Sequence, residues 1–231
     1  MCHDNKVRSL SVGNLEIAIY PDEDAESPRD WDNLGVMACW HSRYNLGDEQ
    51  PKANPEEWAR ELALSLDPGL YDRLAYWEDG DGWGRRDADS KIAKTIQKVL
   101  DREVPVILPL FLYDHSGITM RTTGFNDRWD SGQVGWIYAT RQALLEEYST
   151  KRLTKNVLES ARRVLKSEVE TYAQYLEGDV YGYVIRCPGC EEEFDSCWGF
   201  YGLDYCEEEA KSAAKSYTDH DCGYTAEEED E

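Results

Sequence analysis

The chain is 231 residues long and carries 47 Asp and Glu side chains against 25 Lys and Arg, for a formal net charge of −22 at pH 7. A charge of this sign attracts basic partners and disfavours direct binding of nucleic acid or of an anionic membrane. No apolar run approaches the roughly 20 residues that a membrane span needs. A hydrophobic content of 41% is nevertheless enough for a folded core.

The acidic side chains are spread unevenly along the chain. Residues 20–81 hold 16 acidic and 5 basic side chains, residues 187–231 hold 15 and 2, and residues 82–186 between them hold 14 and 16. Two acidic regions therefore flank a nearly neutral centre, and we expect carboxylates of those regions to bind a partner. The predicted partner-binding residues are Asp22, Glu23, Asp24, Glu26, Asp79, Asp81, Glu207, Glu208 and Glu209. The alternative interpretation is that the acidity only keeps the protein soluble.

Apolar runs separated by turn-forming residues predict eight strands. Gly13 and Asn14 separate the first two strands and a Pro-Gly turn separates the last two, so each pair is predicted to form a hairpin. Pro105 and Pro109 fall in the fourth strand and predict that one of its edges is unpaired or bulged. The strands are predicted at 7–12, 15–20, 34–40, 104–113, 118–123, 134–139, 180–186 and 194–198.

Helix signals are clearest at Asn54 and Pro55, where a capping side chain precedes a proline suited to the first turn. These two residues predict the first helix at 55–66. The other helices are predicted at 90–102, after Thr140, from Thr154 to about Gly178, and at 203–217. Residues 77–90 are predicted to be a loop and residues 218–231 a disordered acidic tail. These elements predict a single α+β domain over residues 1–217, with a mixed or largely antiparallel sheet and about five helices.

Five longer strings carry a resemblance to a known group of proteins. They are SPRDWDNLG at 27–35, CWHSRYNLGD at 39–48, LPLFLYDHSG at 108–117, WDSGQVGWIY at 129–138 and DSCWGFYG at 195–202. Together they resemble a family of uncharacterised proteins encoded by bacteriophages and related mobile elements. The resemblance implies a setting, the cytoplasm of an infected bacterium, and no established activity. The first residues, MCHDNK, also lack the basic start and apolar stretch of a signal peptide, which fits that setting.

Cysteine spacing raises a zinc hypothesis. Cys187 and Cys190 enclose the Pro-Gly turn, and a gap of two residues lets two thiolates bind one Zn²⁺. A structural zinc site needs four ligands, and the further candidates are Cys197, Cys206, His220 and Cys222. No second CxxC pair is present, so the alternative is a hairpin turn with two thiols that bind no metal. The phage-type proteins that the chain resembles usually have an acidic, glycine-containing turn at this position.

Scattered carboxylates and imidazoles raise a second hypothesis, a metal-dependent hydrolase. Such groups can hold a catalytic metal or act as acid and base. The weak catalytic candidates are Asp32, His41, Asp114, His115 and Asp130, with Asp48 and Asp127 in the wider set. No HxH, HExxH or DxD pattern joins them, and several of the Asp residues have the sequence context of a turn. The alternative interpretation therefore gives each Asp a structural role.

These observations favour binding over catalysis. The expected function is that of a phage-type accessory protein whose acidic surface binds a basic host protein or nucleoprotein complex. Such a surface can imitate the charge density of DNA and so inhibit a host defence system such as CRISPR or restriction. The two alternatives are the metal-dependent hydrolase and a zinc-stabilised scaffold protein, and the oligomeric state stays open.

Overall fold

The computed structural model describes residues 5–78, 85–127, 129–189 and 192–217. The strands within these ranges are β1 (Arg8–Val12), β2 (Leu15–Pro21), β3 (Val36–Cys39), β4 (Val106–Asp114), β5 (Ile118–Arg121), β6 (Ser131–Ala139), β7 (Val180–Arg186) and β8 (Glu193–Tyr201). The α-helices are α1 (Pro55–Leu66), α2 (Leu70–Glu78), α3 (Arg85–Glu103), α4 (Arg141–Glu147), α5 (Lys155–Glu177) and α6 (Leu203–Ala214). Short 3₁₀ turns lie at Pro28–Asp30 and Lys215–Tyr217.

The strands form two four-stranded sheets, in the orders β1-β2-β7-β8 and β3-β6-β4-β5, and the registered pairs are antiparallel. The predicted α+β class with antiparallel pairing is therefore confirmed. By Cα proximity the chain divides into two compact units. We call Met1–Asp30, Ser116–Thr119 and Thr171–Glu231 the acidic unit. We call Trp31–His115 and Met120–Glu170 the near-neutral unit.

The acidic unit contains the first sheet and α6. Leu15, Ile17 and Ile19 alternate along β2, so their side chains share one face of the sheet. They form a buried cluster with small residues of α6, which let the helix lie close to the strands. Cys206, Ala210 and Ala214 are the small buried α6 residues of this cluster and are 0% exposed. Gly13, at φ 59°, makes the predicted turn between β1 and β2.

The near-neutral unit contains β3, β4 and β6 and the end of β5, with α1 and α3 packed against this sheet. Trp58 of α1 stacks on Trp136 of β6 with ring centroids 5.9 Å apart, and Trp40 meets both rings edge-on. Trp40 follows β3 directly and continues its pairing, because its backbone N–H donates to the Val134 carbonyl oxygen at 2.7 Å. At Gly135 the backbones are so close that a Cβ would lie 2.1 Å from the Ala38 carbonyl oxygen.

Local sequence signals placed several boundaries correctly. The Asn54 carboxamide accepts hydrogen bonds from the backbone N–H groups of Glu56 and Glu57, and α1 covers the predicted range 55–66. Thr140 and Thr154 cap α4 and α5 as predicted. The strand pairing shifts between Leu110 and Phe111, directly after Pro109, which confirms the predicted irregularity of β4.

The structure differs from the prediction in two helices, and the strands β6 and β8 are longer than the predicted 134–139 and 194–198. The helix α2 was not predicted, and its buried residues Leu70 and Leu74 pack in a cluster with Ala63 and Val99. The helix α3 begins at Arg85 rather than at residue 90, which places its first turn inside the loop predicted at 77–90. Within the described ranges there are thus six α-helices instead of about five, and none of them has the length and apolarity to cross a membrane. The tail at 218–231 lies outside the described residues.

Candidate functional site

The two units differ most in charge. The acidic unit holds 24 acidic and 6 basic side chains, a net charge of −18. The near-neutral unit holds 23 acidic and 19 basic side chains, a net charge of −4. Most of the acidic surplus thus belongs to the smaller part of the chain, and a cationic partner would be attracted mainly to that part.

Two carboxylates of the acidic unit are neutralised within the unit. Glu16 accepts hydrogen bonds from Lys6 at 3.0 Å, from Ser9 at 2.8 Å and from Arg186 at 2.9 and 3.0 Å. These donors, Lys6 foremost, lower the pKa of Glu16 to about 2. Glu207 pairs with Lys211 and Arg8, which lower the pKa of its carboxyl group. Glu207 is therefore the weakest of the predicted partner-binding residues.

Most of the described carboxylates of the acidic unit form no ion pair with another described residue. Twelve of them form no ion pair with another residue in the described part of the chain. They are Asp22, Glu23, Asp24, Glu26, Asp30, Glu177, Asp179, Glu193, Asp195, Asp204, Glu208 and Glu209. The set includes Asp22 and five other predicted partner-binding residues. Those five are all exposed, namely Glu23, Asp24, Glu26, Glu208 and Glu209. The predicted residues Asp79 and Asp81 lie outside the described residues.

The acidic segment after β2 is fastened to β8. The Asp22 carboxylate accepts a hydrogen bond from the backbone N–H of Gly199 at 3.1 Å, and the Tyr201 hydroxyl donates to the carbonyl oxygen of Glu26. The carboxylates of Glu23, Asp24 and Glu26 project from a segment whose two ends are thereby held. Such fixed charges lose less conformational entropy when a partner binds than charges on an unattached chain.

The cysteines give limited support to a zinc site. Cys187 is buried at the end of β7, where its backbone N–H donates to the Glu192 carbonyl oxygen at 2.9 Å, while Cys190 lies outside the described residues. Burial raises the pKa of the Cys206 thiol to about 12, and Cys206 packs in the core of the acidic unit. A protonated core thiol is a poor zinc ligand, because zinc binds the thiolate. Cys197 is exposed on β8.

His220 and Cys222, the other two proposed zinc ligands, lie outside the described residues. Across the ranges that the structure describes, no group of three or more His, Cys, Asp or Glu side chains is arranged to hold a metal ion.

The near-neutral unit contains a cleft of about 540 Å³, lined by residues of two strands and of the segments beside them. It lies where the segment after β3, the end of β4 and the start of β6 come together. Three of the weak catalytic candidates line it, namely His41, Asp114 and Asp130. The other lining residues are Trp40, Ser42, Arg43, Leu112, Trp129, Ser131, Gly132, Gln133 and Val134.

Arg43 and His41 come from the segment after β3. The Arg43 guanidinium donates to the Asp114 carboxylate at 3.0 Å, and the Tyr44 hydroxyl lies 3.3 Å from the same carboxylate. The Nδ1 atom of His41 accepts hydrogen bonds from the backbone N–H groups of Arg43 and Tyr44, both at 3.2 Å. An Nδ1 that accepts leaves the ring proton on Nε2, so His41 presents a donor.

Asp130 also lines the cleft and is paired with His115. His115 Nδ1 lies 2.9 Å from Asp130 Oδ2, and both side chains are well exposed. Asp127 holds this segment in place, because its carboxylate accepts from the backbone N–H groups of Trp129 at 2.8 Å and Asp130 at 3.3 Å. Those two donors, together with the charge of His115, lower the pKa of Asp127.

Asp48 and Asp32 are not among the described lining residues of the cleft. The Asp48 carboxylate accepts from the backbone N–H of Met37 at 2.7 Å, which is a structural role, and Asp32 is exposed before β3. Sequence reasoning missed Arg43 and Trp129 as members of the cleft. The available signal was the position of both residues in the strings CWHSRYNLGD and WDSGQVGWIY, which also contain His41 and Asp130.

A basic face on α5 accounts for much of the charge balance of the near-neutral unit. Arg162, Arg163 and Lys166 are exposed and form no ion pair with a described residue. With Asn156, Glu159 and Ser160 they line a shallow depression of about 630 Å³. Lys166 lies four residues after Arg162 and three residues after Arg163, so it neighbours both on the helix surface.

Comparison of the chain with models of protein families, with curated proteins and with solved structures found no match.

Proposed function

We propose that this protein acts by binding a cationic macromolecule through its acidic unit. The observation that carries the proposal is the concentration of charge, with 24 acidic against 6 basic side chains in this unit and twelve described carboxylates outside any ion pair. The partner we propose is a basic host protein or nucleoprotein complex in the cytoplasm of an infected bacterium.

The resemblance to phage-encoded proteins supports a role in antagonising a host defence system. Nucleases and CRISPR effectors hold DNA in positively charged grooves, and a rigid surface with uncompensated carboxylates can occupy such a groove in its place. The attached segment at Asp22–Glu26 and the exposed Glu208 and Glu209 are the groups that we propose for this contact. Long-range attraction between such surfaces raises the association rate and fades as salt screens the charges.

A salt-dependent capture experiment tests the proposal. The immobilised protein is incubated with bacterial lysate at 50 and 300 mM NaCl, and the protein captured in greatest amount is identified and purified. We expect a basic partner whose dissociation constant rises at least tenfold between the two salt concentrations. Capture that is equal at both concentrations, or capture of acidic proteins only, would contradict the proposal.

The hydrolase alternative has partial support from the geometry of the cleft. His41, Asp114 and Asp130 do line one cavity, and His115 is hydrogen-bonded to Asp130. No metal-binding group supports the metal-dependent version within the described residues. Metal analysis of the purified protein, followed by Asp114→Ala and His115→Ala in an activity screen, tests it.

A further inference from the structure

We propose that the cleft of the near-neutral unit binds an arginine side chain of the cationic partner. This inference rests on the proposed function in one respect, since the cationic partner supplies the arginine. The geometry of the cleft that supports the inference does not depend on the acidic unit. The cleft has room for one side chain or small ligand, since its volume is about 540 Å³. Its aromatic and acidic lining residues together suit a planar cation.

The most unusual lining residue is Trp129, which is 95% exposed. A Trp side chain gains free energy when its large apolar surface is buried, so tryptophans are mostly buried in folded proteins. The position of Trp129 is nevertheless fixed, because its backbone N–H donates to Asp127. An exposed aromatic ring on a fixed turn at the rim of a cleft has the properties of an interface anchor.

The charges of the cleft favour a cation. Asp114 and Asp130 are neighbours across the β4–β6 pair, because the backbone N–H of Asp114 donates to the carbonyl oxygen of Asp130 at 2.8 Å. Arg43 is the one Lys or Arg among the described lining residues, and its guanidinium is bound to Asp114. This ion pair leaves the Asp130 carboxylate, whose Oδ2 contacts His115, as the other acidic group of the described lining that a cation can contact.

The chemistry points to a guanidinium more than to an ammonium group. A guanidinium is planar and can lie flat on the Trp129 indole while its N–H groups donate to a carboxylate in the same plane. Within the described residues, Asp130 uses only Oδ2 for its contact with His115 and has Oδ1 available as an acceptor. An ammonium group can make either contact, but it cannot stack on the ring.

Peptide titrations test the inference on the whole protein. The probes are acetyl-Gly-Arg-Gly-amide and the same peptide with lysine or with citrulline, which has the shape of arginine but no charge. Binding is followed at 150 mM NaCl through the indole N–H signals in a ¹⁵N-correlated NMR spectrum, with the Trp129 signal assigned from Trp129→Phe. We expect the Arg peptide to bind more tightly than the Lys peptide and to shift the Trp129 signal. We expect the citrulline peptide to bind at least tenfold more weakly.

Three variants locate the binding. We expect Trp129→Ala to raise the dissociation constant of the Arg peptide about 3- to 30-fold, the range of a cation–π contact. We expect a rise of about tenfold for Asp130→Asn, which keeps the shape of the side chain and removes its charge. Trp31→Ala is the matched control, since Trp31 is 48% exposed in the same unit and does not line the cleft, and it should have no effect.

The outcomes separate this inference from the proposed function. Equal affinity for the citrulline and Arg peptides, or an unchanged affinity in Trp129→Ala, would overturn the cleft assignment even if the acidic unit captures a basic partner. Equal affinity for the Lys and Arg peptides would overturn the preference for a guanidinium. If the Arg peptide binds as expected while capture from lysate is independent of salt, the cleft assignment stands and the proposed function fails.

Discussion

The two units of this protein are built alike and charged differently. Each has a four-stranded antiparallel sheet with helices against it, yet the net charge is −18 in one and −4 in the other. The linear sequence hides this difference, because the acidic stretch at 20–81 is divided between the units after residue 30. The fold therefore concentrates charge that appears spread over both ends of the chain.

The units also use their carboxylates differently. In the near-neutral unit, Glu168 accepts from the backbone N–H of Leu34 at 2.9 Å, and Asp67 binds the guanidinium groups of Arg73 and Arg102. These carboxylates hold the fold together. In the acidic unit, Glu16 and Glu207 form ion pairs that hold the fold together. Most of the other described carboxylates of that unit form no ion pair with a described residue. The comparison suggests that one unit uses acidic residues for structure and the other keeps them for a partner.

The largest expected effect on stability concerns backbone packing in the near-neutral unit. In Gly135→Ala the new Cβ would lie 2.1 Å from the Ala38 carbonyl oxygen, and the strand pair would have to separate. We expect a loss of about 3 kcal/mol in the free energy of unfolding. In the acidic unit, the Cβ of Gly182→Ala would meet the ring of Trp198, which is 49% exposed and can move. We expect a loss of only about 1 kcal/mol there.

Urea unfolding monitored by circular dichroism measures both losses. Gly132→Ala serves as the control, because no heavy atom lies within 4 Å of the Cβ position, and it should change stability by less than about 0.5 kcal/mol. Equal losses for Gly135→Ala and Gly182→Ala would show that the two sheets tolerate a methyl group alike.

The second prediction concerns the pH dependence that Glu16 gives to the acidic unit. Its pKa is lowered from 4.5 to about 2, so its ion pairs stabilise the folded state above about pH 4.5. That contribution is lost as the pH falls towards 2. We expect Glu16→Gln to lower the free energy of unfolding by about 2 kcal/mol at pH 7 and to have no effect near pH 2.

Unfolding of the wild type and the variant at a series of pH values gives this difference directly. Acid also weakens the repulsion among the other carboxylates of this unit, whose net charge is −18. This effect is common to the wild type and the variant, so it cancels when their free energies of unfolding are subtracted. Glu193→Gln is the matched control, an exposed glutamate of the same unit outside any described ion pair, and it should not destabilise the protein at pH 7. A Glu16→Gln effect that is the same at pH 7 and pH 2 would argue against an electrostatic origin.

The smallest expected effect is that of salt on local stability. Raising NaCl from 10 to 300 mM shortens the screening length and weakens repulsion between like charges. In hydrogen exchange, we expect amides of β2 and β7 to be stabilised by about 1 kcal/mol and amides of β4 and β6 by less than half of that. The same salt response in both sheets would mean that the difference in charge between the units has no local effect on stability.

Local signals were sufficient to predict much of the fold. The capping residues Asn54, Thr140 and Thr154 and the turn at Gly13 act over a few positions, and each was placed correctly. The helix α2 was missed, because its buried residues Leu70 and Leu74 are too few to show a helical period. The pairing of β2 with β7 joins Glu16 to Arg186, and no local signal predicts a contact over that separation.

The candidate site was predictable in part. His41, Asp114, His115 and Asp130 could be selected as residue types suited to a site. Only the strand order β3-β6-β4 brings His41, Asp114 and Asp130 to one cleft, with His115 hydrogen-bonded to Asp130. The exposure of Trp129, and the fact that Glu208 and Glu209 form no ion pair with a described residue, follow from packing. Neither can be deduced from a single sequence, since the same residues could equally be buried or paired.

The most direct test of the central claim compares two variants of equal net charge. One removes four exposed carboxylates of the acidic unit, as Asp24→Asn, Glu26→Gln, Glu208→Gln and Glu209→Gln. The other removes four exposed carboxylates of the near-neutral unit, as Glu61→Gln, Asp72→Asn, Asp89→Asn and Glu170→Gln. Neither set includes a member of a described ion pair.

Both variants should fold and have a net charge four units less negative than −22. The measurement is the dissociation constant of the partner captured from lysate, determined by calorimetry at 100 mM NaCl. We expect the first variant to bind at least tenfold more weakly than the wild type and the second to differ less than twofold. Equal weakening by both variants would contradict the account, because binding would then depend on the overall charge and not on the acidic unit.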